Sequence, residues 1–384
     1  MDRFAEFHVK YGRLRDLIRT HGLAGLVLRS RSNVAWLGCG PADDAPLSAV
    51  QGSRSEIWHQ ADGGVAWFVV TENAVTLVTE NIELPRLTRD EFGGLPIDVL
   101  AQSWHESEPA RAVAELVSGP VGSDTADTAL DWRSGSTRLM TQEIAACRAV
   151  LTERERTRYR WLGQTATGVM SDVCHSIVPG TLEAEVVAMA HGKLRALGIA
   201  QEVDIVCSDD RLAEDRHGLY SDRRIQRLAM VVFCAHKWGL VANVTRMVAV
   251  TPPDATTLRR HEAISDMDYR LMLATRPGTP LRDVFRDAVV TGYAALGEPD
   301  AWHDHHQGGS TGYTGRDTRV TPDSEGKVEM HQAFAWNPSL AGVKSEDTFI
   351  TGPDGPEVIT VDRAWPTYEA TGKAGILDRS GPGG

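Results

Sequence analysis

Apolar positions along the chain follow two rhythms. Over residues 5–22 they recur at helical spacing, with Phe7, Tyr11, Leu14, Leu17 and Ile18 on one face, which predicts an amphipathic helix. Three short apolar runs follow at 23–28, 65–71 and 74–78, each reading as a buried strand. A more polar stretch after Thr79 carries no clear period. Val121-Gly122-Ser123-Asp124 reads as a strand end and turn, and 138–148 as a connecting helix. This first part is predicted to be an α/β domain.

The second part opens with a charged helix over 152–177. An internal echo then appears. Pro179-Gly180-Thr181 starts a helix that Leu197-Gly198 stops, and Pro277-Gly278-Thr279 starts another that Leu296-Gly297 stops. The copies lie 98 residues apart, which suggests two similar halves facing each other and not a solenoid. Between them lie two β-rich runs, 228–234 and 239–250, joined by Ala235-His236-Lys237-Trp238 and read as a hairpin. Further strands are predicted at 332–336 and 348–351. Residues 370–384, ending Gly-Pro-Gly-Gly, read as a mobile tail.

Composition narrows the function. A chain of 384 residues exceeds one compact core and implies two domains. The formal net charge of −12 argues against nucleic-acid or anionic-membrane partners, because phosphate binding needs a basic surface. The first residues lack the apolar segment of a secretory signal, and no run of about 18 apolar residues predicts a membrane span. The five cysteines are scattered without a CxxC pair, as suits a reducing cytoplasm. A soluble globular protein of the cytoplasm is expected.

The chemistry is concentrated in three segments: His305-His306-Gln307-Gly308-Gly309, Ala335-Trp336-Asn337-Pro338-Ser339 and Lys344-Ser345-Glu346-Asp347-Thr348. With Ala242-Asn243-Val244-Thr245-Arg246 upstream, they resemble the creatinase / Xaa-Pro dipeptidase / methionine aminopeptidase superfamily. That resemblance spans nearly the whole chain. It implies an α/β (α+β) fold: a creatinase-type N-terminal domain over 1–148, a pita-bread catalytic domain with internal pseudo-symmetry over 149–366, and a tail over 367–384. It also implies a homodimer.

Metal-dependent members of the superfamily hold two ions with Asp, Asp, His, Glu and Glu, because paired dications need bridging carboxylates. Carried over position by position, the pattern breaks. Val232 and Asn243 stand at the two Asp positions, eleven residues apart. His306 matches the His, Asn337 the first Glu and Glu346 the second. A set that keeps only His306 and Glu346 would hold a dication poorly, so no catalytic metal and no cofactor is expected. Creatinase and ectoine hydrolase resemble this arrangement: they share the fold and hydrolyse C–N bonds without metal, using a His that matches His217.

The resemblance therefore implies a metal-independent hydrolase of a small amino-acid-like substrate. His217 would be the proton shuttle, and Glu346 the base, nucleophile or anchor for a cationic nitrogen. His306 would polarise a carbonyl or stabilise an oxyanion. Asn243 and Asn337 would bind substrate, Arg246 would grip a carboxylate, and Tyr313 and Arg316 would contact substrate. His303 and His305 read as a polar cluster beside His306. Cys234 and His236 form an imaginable nucleophilic pair, although strand alternation accounts for Cys234. Two other readings stay open: an Xaa-Pro dipeptidase-like metallopeptidase with altered ligands, and a non-hydrolytic enzyme or non-catalytic ligand-binding module.

Overall fold

The computed structural model describes residues 1–50, 65–126 and 137–381. It divides into two compact units, residues 1–155 with 237–239, and residues 156–236 with 240–384.

The first unit is built on a six-stranded mixed sheet. Its strands are β1 (Gly25–Leu28), β2 (Ala66–Val70), β3 (Val75–Glu80), β4 (Asp98–Gln102), β5 (Val121–Ser123) and β6 (Thr137–Leu139), in the order β4-β3-β2-β1-β5-β6. The apolar runs at 23–28, 65–71 and 74–78 supply β1, β2 and β3, with all of β1 and β2 buried. The predicted first helix is α1 (Arg3–His21), capped by Asp2 and stopped by Gly22 at φ 63°. A helix α2 (Arg31–Leu37) follows β1. The polar stretch without a period holds a helical segment at 84–91, β4, and a helix α3 (Pro109–Leu116). The connecting helix is α4 (Thr141–Ala149).

In the second unit the charged helix is α5 (Glu153–Ser176), most of which lies in this unit, and the first echo opens α6 (Glu183–Arg195). Strands β7 (Ala200–Gln201) and β8 (Ile205–Ser208) lead to the hairpin of β9 (Leu228–Lys237) and β10 (Leu240–Ala249). The hairpin turn is Trp238-Gly239, three residues beyond the start of the expected connector. Both residues have positive φ, as a two-residue type I′ turn requires. After α7 (Ala255–Ala274), the second echo opens a helical run over 281–295 whose middle, Phe285–Val290, is π-helical. A second sheet follows: β11 (Gly308–Thr311), β12 (Thr318–Arg319), β13 (Ala333–Trp336), β16 (Asp347–Gly352) and β17 (Gly355–Val358), ordered β12-β11-β13-β16-β17. Between β13 and β16 lies a small pair, β14 (Ser339–Leu340) with β15 (Val343–Lys344).

The echo in sequence is an echo in space. Gly180 N–H donates to Ile225 O at 2.8 Å, and Ile225 N–H returns a bond to Thr181 O at 2.9 Å. Gly278 and Thr279 make the same two bonds with Val328 at 2.8 and 2.9 Å. Gly180 and Gly278 have φ of 90° and 92°, the left-handed region that favours glycine. The pseudo-symmetry implied by the resemblance is therefore present at its two helix starts. The halves are joined where β10 meets β16: Thr245 N–H donates to Glu346 O at 3.1 Å, and Asn243 N–H to Thr348 Oγ1 at 2.8 Å.

The expected mobile tail is corrected over 370–381. Lys373 is buried and paired with Asp268 and Asp347, and β18 (Leu377–Asp378) adds a parallel strand to β10. A buried ammonium between two carboxylates and a paired strand anchor this segment, despite its glycines. The expected tail residues 382–384 lie outside the described residues.

Candidate active site

The hairpin and the second sheet enclose a cavity of about 600 Å³. Its walls include His217, Asn243, His306, Arg316, Asn337 and Glu346, brought from six separate segments. Each segment places its residue for a local reason. Asn243 sits in the middle of β10, fully buried, where its Nδ2 donates to Thr311 Oγ1 at 3.0 Å. Its Oδ1 has no partner. Asn337, also buried, leaves its Oδ1 unpartnered as well. A Cβ built on Gly315 would lie 3.8 Å from Asn243 Oδ1 and 4.0 Å from Glu202 Oε2, ordinary contact distances that place this glycine beside both groups.

His306 is delivered by the strand that follows it. Gly308 has φ 99°, and a Cβ there would lie 2.3 Å from Ala335 O; Gly309 has φ 147°, and its Cβ would lie 2.0 Å from Thr318 O. Both positions admit only glycine, which lets β11 run tightly between β12 and β13.

Glu346 is the electrostatic centre. It is 2% exposed and carries three donors. Lys344 Nζ lies 3.0 Å from Oε2, Thr245 Oγ1 donates to Oε2 at 2.7 Å, and the Arg316 guanidinium pairs with Oε1. Burial alone would raise this carboxyl. The Lys344 and Arg316 charges overcome it and hold the group well below the ordinary carboxylate range. Glu346 is therefore an anion of low basicity.

Three imidazoles gather opposite it. His305 Nε2 is 3.0 Å from His217 Nε2, and the rings of His305 and His306 stack with centroids 4.5 Å apart. His305 Nδ1 lies 3.3 Å from Ser339 Oγ, while His306 Nδ1 is buried without a partner. Burial, reinforced by nearby cations, pushes His306 down to about 4, and it lowers His305 and His217 too. All three rings are neutral at pH 7.

Three of the sequence-derived candidates lie elsewhere. Arg246 is buried and does not line the cavity: Nη1 donates to Thr245 O at 2.8 Å and Nη2 to Asp347 Oδ1 and Thr360 O, both at 2.9 Å, so neither terminal nitrogen is left for a substrate carboxylate. Tyr313 is buried and does not line the cavity. His303 stacks on Trp302. Cys234 lines the cavity, but burial pushes its thiol up to about 12 and Glu346 adds to the effect, the opposite of a nucleophilic thiolate. Reading the sequence missed Lys344, Glu202 and Arg319, and gave His305 no role of its own. Arg319 lines the cavity and makes no ion pair among the described residues. The signal for Lys344 was scarcity: only six lysines occur in the chain, and one sits two residues before Glu346.

Residues 158–352, which supply the whole cavity wall, match the family model described as metallopeptidase family M24. The chain belongs to the M24 family. Among curated proteins it is similar to the probable dipeptidase PepE of Mycobacterium tuberculosis, 23% identical over 356 residues that cover 87% of this chain and 89% of the relative. Among solved structures it is similar to an Xaa-Pro dipeptidase from Bacillus anthracis (TM-score 0.77, 18% identity, 97% of this chain and 99% of that one). It is likewise similar to the dipeptidase PepE from Mycobacterium ulcerans (TM-score 0.76, 20% identity, covering 98% and 99%). These likenesses confirm the two-domain α/β fold, and M24 membership supports hydrolytic chemistry in the cavity.

The two-metal centre that the M24 name implies does not fit the residues present. Val232 packs among Ile205, Cys207 and Met247 in an apolar cluster. Asn243 and Asn337 are neutral amides. The one retained carboxylate, Glu346, is already balanced by Lys344 and Arg316. At the family's ligand positions a pair of dications would meet a single neutralised anion in place of four carboxylates. Among the described residues, no helix is long and apolar enough to cross a membrane.

Proposed function

We propose that this M24 protein hydrolyses a C–N bond of a small amino-acid-like substrate without a two-metal centre. One observation carries the reading: Glu346 is buried between Lys344 and Arg316, in the cavity that also holds His217. Side-chain cations thus supply positive charge that metals supply elsewhere in the family. Preorganised cations of this kind stabilise an oxyanion as it develops.

The low basicity of Glu346 suits it to anchoring the two cations and not to abstracting a proton. His217 is the exposed member of the imidazole group and neutral at pH 7, so it is the base. Water attacks the substrate carbon and gives its proton to His217. The C–N bond then breaks, and His217 returns the proton to the leaving nitrogen. Arg319 receives the substrate carboxylate. The unpartnered oxygens of Asn243 and Asn337 receive N–H donors, since a buried acceptor left empty is unfavourable. A cavity of about 600 Å³ matches a molecule of this size.

The test is a screen of creatine-like, ectoine-like and Xaa-Pro compounds with chelator present. Turnover should persist in chelator and fall ~10²–10⁴-fold in His217→Ala. Arg319→Gln should mainly raise KM. Activity that appears only with added Mn(II) or Co(II) would reject the proposal in favour of an altered metallopeptidase.

A further inference from the structure

We propose that His217, His305 and His306 together form a site for one borderline transition-metal ion, distinct from the family's ligand set. The donor nitrogens of the three rings all lie within 4.8 Å of one another. The closest pair, His305 Nε2 and His217 Nε2, is 3.0 Å apart. In a tetrahedral site with metal–nitrogen bonds of about 2.0–2.1 Å, neighbouring ligand atoms are about 3.3–3.4 Å apart. Small ring rotations therefore separate a preformed cluster from a coordination sphere.

Two further observations point the same way. His306 Nδ1 is buried and has no hydrogen-bond partner. His305 has the outer support typical of a ligand: its Nδ1 meets Ser339 Oγ at 3.3 Å, so that Nε2 faces His217.

The donor set selects the metal. Three imidazoles without carboxylate or thiolate favour Zn(II), Ni(II), Cu(II) or Co(II) over Mg(II), Ca(II) or Mn(II). The Lys344, Arg316 and Arg319 charges nearby oppose a bound cation, and the Glu346 carboxylate favours it. Only His306 is shared with the M24 ligand positions. His217 and His305 replace the carboxylates. An ion held here occupies the lone pair that His217 uses as a base, so the loaded form is the resting form. That consequence rests on the proposed hydrolase reading, whereas the binding itself does not.

The experiment uses the full chain, stripped with chelator, titrated with Zn(II), Co(II) and Mn(II) by calorimetry, with the visible spectrum of the Co(II) form recorded. One Zn(II) per chain is expected, with an intense tetrahedral-type Co(II) spectrum and Mn(II) binding at least 100-fold weaker. His305→Gln and His217→Ala should each weaken Zn(II) at least tenfold, while Asn337→Ala should not change it; melting curves of the metal-free variants report whether each folds, and two independent His variants guard against the loss of one. Absence of Zn(II) binding would overturn the proposal. So would binding that survives both His variants, or binding lost in Asn337→Ala and kept in His305→Gln, which would put the ion at the family position. Zn(II) bound as described, in a protein with no hydrolytic activity, would leave the site standing and sink the hydrolase reading alone.

Discussion

Lys344 Nζ lies 3.0 Å from Glu346 Oε2 with both side chains buried, and Arg316 closes the other side of the same carboxylate. The group thus carries two cations and one anion. Removing the anion leaves two desolvated cations facing each other, whereas removing Lys344 leaves a balanced pair. Glu346→Gln should therefore destabilise the fold more than Lys344→Met. Breaking a buried pair so that a charge is stranded costs about 3–5 kcal/mol. The double variant should fall short of the sum of the singles, because a neutral amide in place of Glu346 has no charge for Lys344 to balance. Urea midpoints of the three variants measure this; equal losses for both singles would refute the charge balance.

Restoring the missing ligands should restore hard-metal binding. The triple variant Val232→Asp, Asn243→Asp, Asn337→Glu recreates the carboxylates of the family pattern. Without metal it should be less stable than the wild type, because Val232 packs in an apolar cluster and a charge there is unpaired. Mn(II) should raise its melting temperature by mass action on the folded state and leave that of the wild type unchanged. A triple variant indifferent to Mn(II) would show that Lys344 and Arg316 block the ions even when carboxylates are present.

Much of this was legible in the sequence, for identifiable reasons. Apolar runs become strands wherever both faces are buried, as in β1 and β2, and the Pro-Gly-Thr starts mark helices because glycine fits their positive φ. His306, Asn337, Asn243, Glu346 and His217 line one cavity because motif positions keep their backbone places when side chains change. Arg246 was misread because an arginine within a strand gives no hint of its partner: it pairs with Asp347, the residue after Glu346. Lys344 and Arg319 were missed because their roles depend on which sheet edges meet, a long-range fact without a local period. The anchored segment around Lys373 was missed for the same reason, since Asp268 lies more than a hundred residues upstream.

That anchor is itself testable. Lys373 Nζ lies 2.6 Å from Asp268 and 2.5 Å from Asp347, and Arg246 shares Asp347. Two cations thus balance two anions. Lys373→Met should cost about 3–5 kcal/mol, because Asp268 is left buried and unpaired. Adding Asp268→Asn should recover a large part of that loss. Hydrogen exchange at Leu377 and Asp378 should speed up in the single variant, since their strand is held beside this anchor. A single variant as stable as the wild type would mean that the segment is held by β18 alone.

His261 should make the protein acid-sensitive with a defined sign. It is 3% exposed, its Nδ1 lies 2.8 Å from the Tyr368 hydroxyl, and burial holds it down to about 4, with Arg246 and Lys373 adding to the shift. In the unfolded chain the same ring titrates at about 6.5. Between these values the unfolded state binds a proton that the folded state refuses. The stabilisation is therefore complete above about pH 6.5 and is lost as pH falls towards about 4, by up to about 1.4 kcal/mol per pH unit. Asp268, which burial raises to about 6, has the opposite slope over part of this range, so the comparison is made against His261→Gln, in which all other groups are retained. The variant should be less stable at pH 7, having lost a well-packed ring, yet its stability should decline less steeply from about pH 6.5 to about pH 4. Parallel pH profiles of urea midpoints for the two proteins would show that the ring is already charged, or solvated, in the folded state.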